Sequence, residues 1–209
     1  MKSITKPDLV ITQTISDETV FLEDVISDTC YKNCKIESSV YNTKIKEVKF
    51  ENCEFLTEDL KNIEILDCIF INCDLSNISF ESSTIYRTEF EDCKLIGTNF
   101  MLSRLTDVVF QNNIQRYMNV SESKLNYVVF NGCNLEGAFF QEVDFKKVDF
   151  TRCQLEASDF TDSKLNTMDF SNSTFDEILL SPALAKGLKI HFTQAASIAR
   201  LLGIKIEYK

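Results

Sequence analysis

Every fifth residue of this chain is apolar over most of its length. From Ile45 to Leu180 the register contains 28 positions, of which only Gln115 is polar, and it takes in fourteen of the 17 phenylalanines. A five-residue step carries a side chain about 140° beyond one helical revolution, so on an α-helix the apolar set would spiral around the axis. On a flat strand an odd step sends alternate anchors to opposite faces. A backbone that turns a corner every five residues avoids both problems. Four such sides close a square coil of 20 residues, with each fifth side chain inside.

The longer period is written in residue type. Phe50, Phe70, Phe90, Phe110, Phe130, Phe150 and Phe170 recur at intervals of 20 as core anchors. The column five residues earlier is aliphatic from Ile45 to Leu125, then Phe145 and Leu165, and the side opposite the Phe column carries Phe80, Phe100, Phe140 and Phe160. Large rings on two opposed sides and aliphatics on the other two fill an interior without gaps. A second inward position stands two residues before each anchor and holds many small residues, including Cys53, Cys68, Cys73, Cys93, Cys133 and Cys153, with Asn113 on the missing rung. These cysteines read as buried small hydrophobes. A redox or metal ladder is the alternative, opposed by the Ser, Thr and Ala that replace Cys at equivalent places. Adjacent coils about 4.8 Å apart can hydrogen-bond through their backbones, giving seven coils over residues 43–182 and a rod of roughly 34 Å. Stability then comes from neighbouring coils, and the ends need covers.

The register changes in three places. Upstream, Phe21, Ile26, Tyr31, Ile36 and Tyr41 recur one residue out of phase, with Thr19, Thr29, Cys34 and Ser39 in the small positions. Leu9 to Ile11 reads as a strand or a cap on the first coil. In QNNIQRYMNV, residues 111–120, Asn113 and Gln115 replace a small residue and an anchor. That segment reads either as an irregular coil or as an exposed recognition feature presenting Arg116 and Tyr117. After Leu180 the repeat is expected to stop. Thr193 is placed to cap a helix from Gln194 to Leu202 with Gly203 as its stop, and Ile204, Ile206 and Tyr208 alternate as in a strand. Ile198, Leu201, Leu202, Ile204 and Ile206 are too apolar for a free end. They either cap the rod or, as the favoured reading, form a two-fold contact between two chains.

Charge narrows the function. The net is −10, and residues 1–180 alone carry 31 acidic and 17 basic side chains, a net of −14. Residues 181–209 carry +4. The acids fall on outward positions, so the rod has a negative skin that disfavours direct nucleic-acid binding and suits either plain solvation or a cationic groove. Asp92 and Asp107 are candidate contacts on that skin, beside Asn113, Gln115, Arg116 and Tyr117. A single His excludes mechanisms that need two, and the eight cysteines form no CxxC element. Acids scattered on a convex surface offer no pocket, so no enzyme, metal or other cofactor is expected. The start MKSITKPDLVITQ has neither the apolar stretch nor the cleavage site of a secretory signal, and no apolar run approaches membrane length. A cytoplasmic protein with reduced thiols is expected.

The units CEFLT, CDLSN, CKLIG, TNFML, CNLEG, SDFTD, SKLNT and STFDE resemble those of the pentapeptide repeat proteins, over about residues 19–182. The resemblance implies an all-β, right-handed quadrilateral β-helix with the central Leu or Phe and the preceding small residue inside. It divides the chain into a repeat domain with its N-terminal cap, 1–182, and a C-terminal capping and dimerisation segment, 183–209. TQAASIARLLGIKI, from Thr193 to Ile206, looks like the C-terminal segment of the quinolone-resistance members. In those proteins the tail joins two rods, and the acidic dimer mimics DNA to bind a bacterial type II topoisomerase, DNA gyrase or topoisomerase IV, and protect it from fluoroquinolone-type poisons. Several such members carry projecting loops, whereas this chain keeps one phase from Ile45 to Leu180. An immunity or scaffold protein using the same rod on another partner is the alternative.

Overall fold

The computed structural model describes residues 4–39 and 44–207, so the expectations for Tyr41 and Tyr208 lie outside the described residues. The backbone corners are explicit. Asp67, Asn72, Asn77, Ser82, Arg87 and Asp92 all have left-handed φ, between 51° and 60° except for Arg87 at 44°, and the five-residue rhythm continues to Asp162. Asn and Asp are the non-glycine residues that accept this conformation most readily, which is why a chain with five glycines can turn so often. Between corners lie short parallel strands. Leu105 pairs with Leu125 and Phe110 with Phe130, each 20 positions on, and the principal sheet stacks such strands from Gln13–Ser16 to Asp144–Thr151. The result is a quadrilateral β-helix of about eight turns.

The interior is a set of columns. Phe50, Phe70, Phe90, Phe110, Phe130, Phe150 and Phe170 are all at most 1% exposed. Successive rings from Phe70 to Phe150 stack with centroids 4.8–5.0 Å apart and planes within 11° of parallel. On the opposed side Phe80 stacks on Phe100 at 5.1 Å and Phe140 on Phe160 at 4.7 Å.

The small inward residues do more than fill space. Ser103 Oγ donates to Phe80 O at 2.8 Å and accepts from Ser83 N at 3.0 Å, tying its coil to the one before. Ser123 repeats the pattern with Phe100 O and Ser103 N. Thiols take the same role, with Cys93 Sγ on Phe70 O at 3.4 Å and Cys133 Sγ on Phe110 O at 3.3 Å. Cys, Ser and Thr interchange at these rungs because each is short and can both donate and accept, while other rungs hold apolar residues such as Val108, Val128 and Ala138. All eight cysteines are unpaired and buried, and burial pushes the Cys68 thiol up to about 12.

Both ends depart from the expectations. Phe21 and Ile26 are 43% and 56% exposed, while Val20 and Val25 pack on the core and Leu22, 1% exposed, sits in the 3-10 turn Leu22–Asp24. The cause is coil length. Val20 pairs with Ile36, an advance of 16; Tyr31 pairs with Phe50, an advance of 19; from the strand Lys44–Lys46 onward the step is 20, as between Ile45 and Ile65 or Phe50 and Phe70. A shortened first coil moves its own inward positions by one residue, so Thr19 is exposed with Phe21 and Ile26; beyond it Thr29, Tyr31, Cys34 and Ile36 are buried as expected, and Ser39 is exposed. Leu9 to Ile11 form no strand.

At the other end the register outlasts Leu180. Leu165 N donates to Leu184 O at 3.0 Å, Phe170 N donates to Lys189 O at 2.8 Å, and Ala185 and Ile190 pack on the core. The helix is Ala195–Leu201, preceded by the 3-10 turn Phe192–Gln194. His191, rather than Thr193, heads it: His191 Nδ1 accepts from Thr193 N, and His191 N donates to Gln194 Oε1 at 2.7 Å. Gln194, 4% exposed, donates through Nε2 to Ser173 O and Phe170 O, which closes the last coil. Gly203, with φ at 75°, ends the helix through its N–H to Arg200 O. Residues 204–207 are not a strand.

The coil at 111–120 is regular. Asn113 and Gln115 are 1% and 0% exposed, so both point inward and a partner does not reach them. Asn113 substitutes for a thiol by donating to Phe90 O at 2.9 Å and accepting from Cys93 N at 2.7 Å. Gln115 is less well served, since Nε2 meets Met118 Sδ at 3.2 Å and Oε1 has no hydrogen-bond partner. Leaving a buried acceptor unpaired costs about 1–3 kcal/mol. Replacement Gln115→Leu, matching Leu95 and Leu135 in the same column, is expected to stabilise the protein by about that amount. Chemical denaturation measures it; an unchanged or lower midpoint would show that the carbonyl is satisfied.

Candidate functional site

The candidate contacts occupy different corners. Asp107 belongs to the corner of Asp67, Arg87, Tyr127 and Lys147, Asp92 to the next corner with Asn72 and Asn112, and Tyr117 to the one after with Asn77 and Gly137. Going around a square coil, Asp107 and Tyr117 lie on diagonally opposite edges. One flat contact cannot take them all. Arg116 and Tyr117 alone stand together: the guanidinium lies 5.3 Å from the ring centroid and bonds Glu136 Oε1 at 3.1 Å, one coil on. The Tyr117 ring folds over Gly137, where an added Cβ would sit 2.7 Å from the ring, so the ring in this place favours glycine by contact.

Much of the surface charge joins coil to coil. Lys44 pairs with Glu64 at 2.9 Å, Lys61 with Glu81 at 3.5 Å, and Lys94 with Asp74 at 3.6 Å, each across 20 residues. Glu51 lies 2.7 Å from both Lys32 and Lys49, and their hydrogen bonds hold its carboxyl down at about 2. Exposed pairs of this kind contribute little singly. Asp92, by contrast, is exposed and makes no ion pair among the described residues.

Residues 4–12, without regular structure, run back along the rod as an arm that sequence patterning does not reveal. Thr5 N donates to Asp107 Oδ1 at 3.0 Å, Lys6 approaches Glu89 at 3.9 Å, Asp8 N donates to Asp67 Oδ1 at 2.9 Å, and Thr12 N donates to Asp28 O at 2.8 Å. The arm thus covers one corner of the rod, with Asp67 and Asp107 included. Its firmest anchor is Asp67, 3% exposed and gripped by both Nε and Nη2 of Arg87 at 2.5–2.6 Å. No periodic signal marks the arm, although a Pro inside a stretch lacking anchors is consistent with one.

The tail divides likewise. Ile198 and Leu201 pack against the chain's own core, and Ile206 is half-buried. Leu202 and Ile204 are 57% and 54% exposed, and Phe192, absent from the expected set, is 80% exposed. Among the described residues no three His, Cys, Asp or Glu side chains converge as a metal site, and no helix is long and apolar enough to cross a membrane.

Burial alone would raise the Asp67 carboxyl, but hydrogen bonds from Arg87 and the Asp8 amide bring it below the ordinary Asp value. A depressed carboxyl stabilises above its unfolded pKa and loses that contribution as pH falls through the folded one. The arm is therefore expected to stay docked at about pH 4, where ordinary aspartates titrate, and to release only below it. The Asp8 amide chemical shift, followed by NMR during acidification, reports this. A midpoint at or above the ordinary value, or an unchanged shift in Asp67→Asn, would contradict the assignment.

The family model described as "Pentapeptide repeat region" matches residues 43–119, 63–140 and 123–198. Comparison with curated proteins finds no match. Among solved structures, the chain is similar to full-length QnrB1, "a plasmid-mediated fluoroquinolone resistance protein", at 17% identity over 91% of this chain and 100% of that one, with a TM-score of 0.42. It is also similar to a pentapeptide repeat protein from the Arabidopsis thaliana thylakoid lumen, at 27% identity over 43% of this chain and 63% of that one, with a TM-score of 0.34. HetL from the cyanobacterium Nostoc sp. strain PCC 7120 is similar at 12% identity over 88% and 89%, with a TM-score of 0.33. With left-handed corners every five residues, in-register columns of Phe and Leu, and a family match running through residues 43–198, the chain belongs to the pentapeptide repeat proteins.

Proposed function

We propose that this protein is a noncatalytic DNA mimic that occupies the DNA-binding groove of a bacterial type II topoisomerase, DNA gyrase or topoisomerase IV, and protects it from fluoroquinolone-type poisons. The observation that carries the reading is the density of outward negative charge on an unbranched rod. About eight turns at ~4.8 Å each span roughly 38 Å. The net of −14 on residues 1–180 then amounts to one charge per ~2.7 Å, the same order as duplex DNA, at one per about 1.7 Å. The sides away from the arm, where Asp92 is unpaired, offer the open part of that surface. The tail Thr193–Ile206 adds the resemblance to quinolone-resistance members. A supercoiling and cleavage assay with purified gyrase and a fluoroquinolone tests the reading. Titrated protein is expected to lower drug-induced cleavage. No effect on supercoiling or cleavage over a wide titration would sink it.

The same reading pairs two rods through the tail, using exposed Leu202 and Ile204 with Phe192. Replacement Leu202→Asp places a charge in that contact and is expected to yield monomers. Sedimentation at several concentrations decides: a persistent dimer takes Leu202 out of the contact, and a wild-type monomer at every concentration removes the dimer. The unbroken coil at 111–120, which projects no loop, favours a second reading in which the acidic rod serves as an immunity or scaffold protein for another cationic protein. Gyrase inactivity combined with pull-down of a different single partner would select it.

A further inference from the structure

One outward column of the rod breaks its own chemistry at a single place. Asp59, Ser79, Asn99, Asn119, Phe139 and Asp159 follow one another in register, a coil apart, on the side that begins at the Tyr117 edge. Four of the six accept, at a side-chain oxygen, from the amide two residues on: Asp59 from Lys61, Asn99 from Met101, Asn119 from Ser121 and Asp159 from Thr161, at 2.9–3.2 Å. These local bonds lead the chain into its next corner. Phe139 has no oxygen to offer, and the Gln141 amide finds no acceptor among the described residues. The ring is 41% exposed instead. A position that forgoes a repeated bond to put an aromatic ring in water breaks the local rule in the way functional positions do.

Two neighbours depart in the same way. Leu102 and Tyr117, on the two edges of this side, are 47% and 50% exposed and hold left-handed φ of 60° and 59°. Bulky residues seldom take that conformation, and the Leu102 edge otherwise carries Asn62, Ser82, Glu122, Glu142 and Asp162. Three consecutive coils thus each place one large apolar side chain around Asn119. Negative charge surrounds them. Residues 116–122, 136–142 and 156–162, which make up this side and its edges, carry six carboxylates and one base, Arg116. Asp159, directly opposite Phe139 in the next coil, has no ion-pair partner among the described residues, and neither have Glu122 and Glu142. The Tyr117 edge shows what such a surface holds. Arg116 lies 5.3 Å from the Tyr117 ring centroid, with Nη2 3.1 Å from Glu136 Oε1. A ring and a carboxylate one coil on are its two contacts, and Phe139 with Asp159 repeats that pair with no arginine of its own.

We propose that Phe139 and Asp159, with Leu102 and Tyr117 beside them, form a docking site for an arginine on an exposed segment of a partner protein. The guanidinium stacks on the Phe139 ring and pairs with Asp159, while an apolar neighbour of that arginine rests on Leu102. Arginine suits the site better than lysine, because its planar and weakly hydrated head stacks on a ring, whereas an ammonium holds its water. The arm lies over the Asp67 and Asp107 corner, diagonally opposite Tyr117, and leaves this side open. The site asks for one arginine rather than a groove, and it stands whether or not the partner is a topoisomerase.

Titration of the full chain with acetyl-Leu-Arg-Leu-amide, followed by NMR, tests it. The Phe139 ring and the Gly137 and Gln141 amides are expected to shift saturably at millimolar peptide. The lysine peptide is expected to bind at least threefold more weakly, and the citrulline peptide, which keeps the shape without the charge, at least tenfold more weakly. Replacement Phe139→Asn copies Asn99 and Asn119 and restores an acceptor for the Gln141 amide. It is expected to abolish binding while the melting midpoint stays within about 5 °C of wild type. Asp159→Asn, which keeps the bond from Thr161, is expected to weaken binding at least threefold. Equal binding of the citrulline peptide, binding that persists in folded Phe139→Asn, or the absence of a saturable shift on this side would overturn the proposal. So would the same shifts appearing with rising protein concentration alone, since the occupant would then be a second copy of this chain.

Discussion

The left-handed corner at every fifth residue is the constraint from which the rest of the molecule follows. An L-residue at positive φ is costly, and here the cost recurs in coil after coil as far as Asp162. What offsets it is that each corner leaves a rung in register with the next. The rung contributes backbone hydrogen bonds, an aromatic or aliphatic contact and, at many places, a hydroxyl or thiol that both donates to the preceding coil and accepts from it. No coil holds these alone. Cooperation between neighbours, rather than a central core, maintains the fold.

The regular coils were legible in the sequence because one geometric period controls burial, corner and residue size together. Phe50 to Phe170 and the cysteine rungs follow from spacing alone. Beyond the first coil the upstream inference held at Tyr31 and Ile36, but it failed at Phe21 and Ile26, because a coil of 16 shifts its own inward positions while leaving their five-residue rhythm intact in the letters. Asn113 and Gln115 misled for a different reason. Polar letters in an apolar register suggest an exposed feature, yet an amide can replace a thiol's two hydrogen bonds, and the register outweighed the chemistry of a single side chain. The arm over Asp67 and Asp107 had no period to betray it. In the tail, the helix was legible, but the role of Gln194 as a plug for Phe170 and Ser173 carbonyls depends on the end of a coil that spacing placed too early.

Surface acid therefore falls into three groups. Where Lys stands 20 residues away, the carboxylates join coils; where the arm lies, they hold the arm; elsewhere, as at Asp92, they face water. Only the last group is free to meet a cationic partner. This division matters more than the net charge, because it leaves the corner opposite Tyr117 already engaged and directs any approach to the remaining sides.

The shortened first coil has an effect on assembly. A β-helix with two full-width ends would offer matching templates to its own kind, and rods would add end to end without limit. Here the 16-residue turn at Val20 and Ile36, with a 3-10 turn in place of one side, presents an outline that a 20-residue coil does not match. That mismatch disfavours the stacking of a 20-residue coil of another rod on this one.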